Sequence, residues 1–151
     1  MLQLKIPPPV YAISIAILMW LLSKYMPVAE IIQTPWNKIG LVIIVIAVSF
    51  DVWSLLLFLK KKTTPNPMKP ENTSGIVTKG LYQYSRNPMY LGMLIILFGF
   101  GIWLGSLSPF IMLPAFYWVI TEMQIKPEER MLEQKFTNEY LDYKNRVRRW
   151  L

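Results

Sequence analysis

The sequence contains no cysteine and no histidine. Without cysteine there is no disulfide framework and no thiol nucleophile, and without histidine there is no imidazole-based catalytic triad. Most zinc sites also require these two residues, so we predict that the chain holds no metal. Charge is scarce as well, because 17% of the residues are charged, whereas about 25% is usual in a soluble domain.

Apolar residues dominate what is present. Hydrophobic residues make up 54% of the 151 residues, and the mean hydropathy is +0.34. This composition excludes a disordered chain, and the length allows one domain, residues 1–151.

Four apolar runs approach the length that a membrane-spanning helix needs, about 20 residues. They cover approximately residues 8–26, 39–59, 89–105 and 107–125. We therefore predict an all-α integral membrane protein with four transmembrane helices. The first run also has features of a signal peptide, since Lys5 precedes it, but no small-x-small cleavage site follows Tyr25.

Basic residues are distributed unevenly between these runs. Fourteen Lys and Arg lie before the first run, between the second and third, or after the fourth, and two, Lys24 and Lys38, lie elsewhere. Because cytoplasmic segments accumulate Lys and Arg, both termini are predicted to be cytoplasmic in a multi-pass protein of the cell inner membrane. Topology and anionic lipid then explain the net charge of +7, and no nucleic-acid partner is expected.

Two cytoplasmic segments follow from this topology. Residues 60–88 are predicted to form a loop, basic at its start and more ordered from Gly75 onward. Residues 127–150 are predicted to form an amphipathic helix, which either lies on the bilayer or folds back to close a pocket. Its apolar stripe consists of Leu132, Phe136, Tyr140, Tyr143 and Val147.

Asp51 and Glu122 lie inside the second and fourth apolar runs. Ionisable residues at membrane depth usually have a partner or a task, so each is either a structural pair or a functional group. The third run also contains Gly101 and Gly105 in a GxxxG pattern, which predicts a close contact between helices.

The junction from Tyr82 to Gly92 reads YQYSRNPMYLG. Asn87 is predicted to cap a helix that Pro88 begins. Arg86 and the N–H groups of this helix start favour an anion. Glu128 and Glu129, at the same membrane face, favour an ammonium group or ribose hydroxyls.

These residues resemble a known signature. Arg86-Asn87-Pro88-Met89-Tyr90-Leu91-Gly92, followed by an apolar hairpin and Glu128-Glu129, is similar to the RHPxYxG and EE motifs of integral-membrane methyltransferases. This family includes the isoprenylcysteine carboxyl methyltransferases and the phospholipid N-methyltransferases. The resemblance extends to Ile6-Pro7-Pro8-Pro9 at the start and to the tail stripe.

The resemblance implies an S-adenosylmethionine-dependent enzyme whose cofactor lies in a pocket closed by the last helices and the tail. It implies catalytic roles for Arg86 and Glu129, and Asp51, Tyr140 and Arg149 are expected at the acceptor. Three residues depart from the family pattern: Asn87 replaces a frequent His, Thr137 a frequent Gly and Arg148 a common Pro. The residues expected around the cofactor are Tyr82, Arg86, Asn87, Pro88, Tyr90, Gly92, Glu128 and Glu129.

The predicted function is methyl transfer to a lipophilic acceptor at the cytoplasmic membrane face. A sulfonium methyl is already activated, so a carboxylate or thiolate acceptor needs no base. A phospholipid amine or a hydroxyl must lose a proton, for which Glu129, Tyr90 and Asp51 are the candidate bases. Methylation of a carboxylate or thiol is therefore favoured over methylation of a hydroxyl, and isoprenylcysteine-type carboxylates, thiols and phospholipid amines all stay open as acceptors.

Two other functions are compatible with the same sequence. An NADPH-dependent enzyme similar to sterol reductases would use Arg86 and the tail arginines for a 2′-phosphate. A small four-helix transporter or assembly module would use Asp51 and Glu122 as transport carboxylates.

Overall fold

The computed structural model describes residues 6–60 and 75–151. These residues form helices and turns without a β-strand, and an isolated antiparallel bridge joins Glu30 to Ser106. The all-α prediction is confirmed. Lys5 and residues 61–74 of the predicted cytoplasmic loop lie outside the described residues.

Five α-helices follow one another within the described residues. They are α1 (Pro8–Tyr25), α2 (Ile39–Lys60), α3 (Pro88–Leu104), α4 (Met112–Ile120) and α5 (Lys126–Arg146). A π-helical turn, Thr121–Ile125, joins α4 to α5 without a break. The tail helix thus begins as predicted but ends at Arg146 rather than near residue 150, because Val147 adopts an extended conformation.

The start of α3 differs in detail from the prediction. Pro88 occupies the first turn as expected, but the side chain of Asn87 makes no capping hydrogen bond. Its Nδ2 instead donates to the carbonyl oxygen of Arg149 at 3.0 Å. Asn87 therefore connects the start of α3 to the C-terminal residues.

The closest approach of two helix backbones lies at Gly99 rather than at the predicted GxxxG pair. Gly105 ends α3 in the left-handed region, with φ of 79°, where glycine is favoured. Gly101 packs against Phe110 and against Met19 of α1, so one member of the predicted pair does lie at a helix contact. The backbones of α2 and α3 approach at Gly99, where an added Cβ would lie 2.8 Å from the carbonyl oxygen of Gly40.

Hydrogen bonds at both ends show that α1 and α4 run antiparallel. At one end, the Ser106 hydroxyl donates to the Ser23 hydroxyl at 3.0 Å. At the other end, Gln124 Nε2 donates to the carbonyl oxygen of Ile6 at 2.8 Å. The starts of α1 and α3 and the whole of α5 therefore share one end of the bundle, which we call the site end.

Two helical segments, Pro8–Tyr25 and Trp36–Leu57, are long and apolar enough to cross a membrane. Only 11% and 17% of these segments is buried within the protein. A core helix of a soluble protein would be mostly buried, so these exposed apolar faces fit hydrocarbon. Pro88–Leu104 is a shorter apolar helix, and membrane crossing by α3 and α4 stays a prediction.

Candidate functional site

A cavity of about 190 Å³ lies at the site end, between the start of α3 and α5. Apolar and aromatic side chains form most of its wall. The predicted site residues that line it are Tyr82, Arg86, Asn87, Tyr90, Glu128, Glu129 and Tyr140.

Other lining residues were not predicted as site residues. Tyr143 and Leu132 belong to the tail stripe, so the periodicity that predicted the helix also marked them. The stripe packs on Ile76, which shows that α5 folds back over the site end. The remaining unpredicted lining residues are Pro8, Pro9, Gly75, Ile76, Val77, Met89 and Met93.

Glu129 is the centre of a buried charge cluster. The Arg86 Nη2 atom donates to its Oε1 at 2.7 Å, and the Arg149 Nη2 atom donates to its Oε2 at 2.7 Å. The side chains of Arg86 and Glu129 are each 7% exposed. Two guanidinium groups thus share one carboxylate, and this hydrogen bonding raises the pKa of Arg149.

Arg86 is fixed by contacts beyond this ion pair. Its Nη1 donates to the carbonyl oxygen of Lys144 at 3.3 Å. Its backbone N–H donates to the carbonyl oxygen of Arg148 at 2.9 Å. The Nε atom is buried and has no hydrogen-bond partner among the residues that the structure describes. One strong donor of a buried cation is therefore left for a ligand.

Residues 147–151 form a C-terminal strap across the start of α3. Asn87 and Ser85 both donate side-chain hydrogen bonds to the carbonyl oxygen of Arg149, at 3.0 and 3.4 Å. The ring of Trp150 stacks on Tyr117 of α4, with centroids 4.8 Å apart. The strap therefore connects three elements around the charge cluster.

Glu128 occupies a different environment from its neighbour Glu129. It accepts a hydrogen bond from the Tyr90 hydroxyl at 3.1 Å. The pKa of Glu128 is raised to about 7, mainly because the carboxyl is buried. The hydrogen bond from Tyr90 lowers this pKa in part, and the negative charge of Glu129 raises it by a smaller amount. Within residues 6–60 and 75–151, no Lys or Arg forms an ion pair with Glu128.

Three tyrosines outside the apolar helices supply the aromatic wall. Burial raises the pKa of Tyr82, Tyr140 and Tyr143 well above the usual value, so their phenols stay protonated. The Tyr143 hydroxyl donates to the carbonyl oxygen of Tyr82 at 2.7 Å, which fixes two of the rings. Such faces attract cations, including a sulfonium group.

Four predicted site residues do not line the cavity. Pro88 is the first residue of α3, and Arg149 binds Glu129. Asp51 and Gly92 contact each other where α2 meets α3. Glu122, the other carboxylate predicted at membrane depth, forms an ion pair with Lys126 one turn further along the helix.

Comparison with known proteins identifies the family. Residues 36–139 match the family model of phospholipid methyltransferases. An uncharacterized protein of Haemophilus influenzae is 46% identical over 63 residues, which are 42% of this chain and 100% of that protein. Protein-S-isoprenylcysteine O-methyltransferase of Saccharomyces cerevisiae is 32% identical over 79 residues.

The yeast match covers 52% of this chain and 33% of the yeast protein, so the chain corresponds to about a third of that relative. No solved structure matches the chain significantly. The family match, in contrast, spans more than half of the chain and includes the Arg86-to-Gly92 motif and the Glu128-Glu129 pair. The family predicted from these motifs is thereby confirmed, and the chain belongs to the phospholipid methyltransferase family.

Proposed function

We propose that the protein transfers a methyl group from S-adenosylmethionine to a lipophilic acceptor at the cytoplasmic face of the membrane. The family indicates a methyltransferase. The observation that supports the cofactor most directly is the buried Arg86 guanidinium, whose Nε has no partner among the described residues and which lines the cavity. A buried donor of this kind favours a carboxylate ligand.

The cavity fits S-adenosylmethionine in two further respects. Its positive sulfonium group and its adenine ring both suit the faces of Tyr82, Tyr140 and Tyr143. Both carboxylate oxygens of Glu129 accept hydrogen bonds from the guanidinium groups of Arg86 and Arg149. We therefore give Glu129 a positioning role, in which it holds Arg86 in place.

When bound, S-adenosylmethionine supplies a methyl group that is already activated for transfer. The chain then has to align the acceptor and exclude water. Helix α5 covers the cavity from one side, and Pro8 and Pro9 at the start of α1 form part of its wall. Because α1 exposes its apolar face, a lipophilic acceptor can approach from the bilayer beside it.

The charge distribution supports a cytoplasmic site. Lys60, Lys79, Arg86 and the basic residues of α5 and the strap lie at the site end. The opposite end carries Lys24 and Lys38 among the described residues. We therefore propose that both termini and the cavity face the cytoplasm.

Calorimetric titration with S-adenosylhomocysteine tests this proposal, with NADPH as the parallel ligand. We expect saturable one-to-one binding of S-adenosylhomocysteine and none of NADPH. Arg86→Ala should weaken binding at least tenfold, about 1.4 kcal/mol. The control Arg146→Ala removes an exposed guanidinium at the end of α5 and should bind normally.

Other outcomes would contradict the proposal. Binding of NADPH alone to folded protein would favour the reductase function. If neither ligand binds, uptake into proteoliposomes that Asp51→Asn abolishes would favour the transporter. Circular dichroism and gel filtration of each variant separate lost binding from lost folding.

A further inference from the structure

Two adjacent glutamates at the cavity differ in what neutralises them. Glu129 is bound by Arg86 and Arg149 through three hydrogen bonds. Glu128 lines the same cavity, and its described partner is the neutral hydroxyl of Tyr90, at 3.1 Å. Neighbouring carboxyls in such different environments can take different chemical roles.

The groups around Glu128 come from several elements. Tyr90 lies on α3, Tyr82 on the turn Gly80–Gln83, and Glu129 and Tyr140 on α5. The Arg86 guanidinium faces Glu129, and α1 contributes uncharged prolines. Burial, followed by the negative charge of Glu128, raises the pKa of Tyr82, so this phenol keeps its proton. Glu128, with a pKa of about 7, is suited to accept a proton near neutral pH.

We propose that Glu128, oriented by Tyr90, is the catalytic base that removes a proton from the acceptor before methyl transfer. The inference rests on the proposed function and adds a requirement on the acceptor, whose reacting atom must carry a proton. An ammonium group fits best, because the unpaired Glu128 carboxylate attracts a cation and repels an anionic acceptor.

The step balances for an ammonium acceptor. The Glu128 carboxylate takes one proton from R–NH₃⁺, which leaves a lone pair on nitrogen. This pair forms a bond to the methyl carbon of S-adenosylmethionine while the carbon–sulfur bond breaks and its electrons stay on sulfur. The positive charge moves to the methylated nitrogen, and Glu128 later releases its proton to water. Tyr90 keeps its own proton throughout.

Binding of dodecylamine and of dodecanoate to the protein saturated with S-adenosylhomocysteine tests the charge at the site without turnover. For the parent protein, we expect dodecylamine to bind more tightly above pH 7 than below, because Glu128 is then ionised, and dodecanoate to bind weakly. Glu128→Gln keeps an oxygen for the Tyr90 hydroxyl but should lose this pH dependence. The control Glu139→Gln changes an exposed carboxyl of the same helix and should behave like the parent.

Methylation of dodecylamine by S-adenosylmethionine provides the second measurement. The rate of the parent should rise with pH through about 7, and Glu128→Gln should lower it by about 10²-fold or more. Its affinity for S-adenosylhomocysteine should stay within threefold of the parent, about 0.7 kcal/mol.

Several results would overturn the assignment. They are unchanged methylation by Glu128→Gln, pH-independent binding of dodecylamine by the parent, and preferred methylation of dodecanoate. Loss of S-adenosylhomocysteine binding in Glu128→Gln would make Glu128 a cofactor ligand instead of a base. Failure of the parent itself to bind S-adenosylhomocysteine would contradict the proposed function, which keeps the two failures distinct.

Discussion

The Asp51 carboxylate on α2 fills the space that Gly92 leaves on α3. A Cβ added at Gly92 would overlap both the Oδ1 atom and the carboxyl carbon of Asp51. Oδ1 is buried and has no hydrogen-bond partner in the described parts of the chain. The glycine that ends the Arg86-to-Gly92 motif thus makes room for a carboxylate from the neighbouring helix, directly before Met93 in the cavity wall.

Gly92→Ala is therefore expected to destabilise the protein. Alanine is the better helix former by about 1 kcal/mol, but the overlap with Asp51 should outweigh this gain and lower the free energy of unfolding by about 1–3 kcal/mol. Thermal unfolding in detergent measures the change. The control Gly75→Ala adds a Cβ that would meet no atom of a non-neighbouring described residue within 4 Å.

The double variant Asp51→Ala/Gly92→Ala shows whether this contact is the cause. Removal of the carboxylate should restore most of the stability lost in Gly92→Ala, which gives a clear interaction energy between the two positions. Additive effects of the two substitutions would contradict this explanation.

Much of the cavity could be predicted from sequence because its residues fall into two local motifs. Arg86 and Tyr90 lie one turn apart at the start of α3, and Glu128 and Tyr140 lie on one helix. A short motif at a helix start and a periodic stripe are both visible in a linear sequence. The resemblance to a known family then connected the two.

The charge cluster and the strap could not be predicted in this way. Arg149 and Asn87 are separated by 62 positions, and their contact uses a backbone carbonyl that any residue possesses. The role of Gly105 as a helix end depends on its positive φ, which a GxxxG pattern does not reveal. Tertiary contacts between distant backbone groups therefore account for what sequence periodicity missed.

Arg149→Ala should release the strap without unfolding the bundle. The variant loses two hydrogen bonds to Glu129, whereas Arg86 still neutralises that carboxylate. We expect a loss of about 1–2 kcal/mol in stability. We also expect faster hydrogen exchange in residues 147–151 and weaker binding of S-adenosylhomocysteine.

The matched control for the strap is Arg148→Ala. The side chain of Arg148 is exposed. Its backbone carbonyl accepts a hydrogen bond from the Arg86 N–H, and alanine retains this carbonyl. Equal hydrogen exchange in the two variants would show that the Arg149 side chain does not hold the strap.

The raised pKa of Glu128 predicts a pH dependence of stability. Its folded-state pKa of about 7 exceeds the ordinary value of 4.5. Between these pH values the folded state binds more protons than the unfolded state, so stability falls as pH rises through this window. The loss of stability that has accumulated once pH exceeds 7 is about 3 kcal/mol.

Glu128→Gln should remove this dependence. The variant is expected to unfold at a higher temperature than the parent at pH 8 and at a similar temperature at pH 4.5. Glu139→Gln should follow the parent at both pH values. A Glu128→Gln curve parallel to that of the parent would show that Glu128 titrates at an ordinary pKa.

Thr137 carries backbone strain in the middle of α5. Its φ of 39° and ψ of −109° interrupt the helix where the chain bends over the cavity. A residue with a Cβ pays for a positive φ, whereas glycine adopts it freely. The family pattern has a frequent Gly at this position, directly after Phe136, and the kink explains why.

Replacement of this threonine by glycine, Thr137→Gly, should therefore stabilise the protein. Relief of strain contributes about 1–3 kcal/mol, and the greater entropy of glycine in the unfolded state offsets about 0.5–1 kcal/mol of it. A rise in the thermal midpoint in detergent would show the net gain. Thr137→Ala retains the Cβ, so it should gain less than Thr137→Gly. An equal gain in both variants would mean that the branched side chain, rather than the backbone, carries the strain.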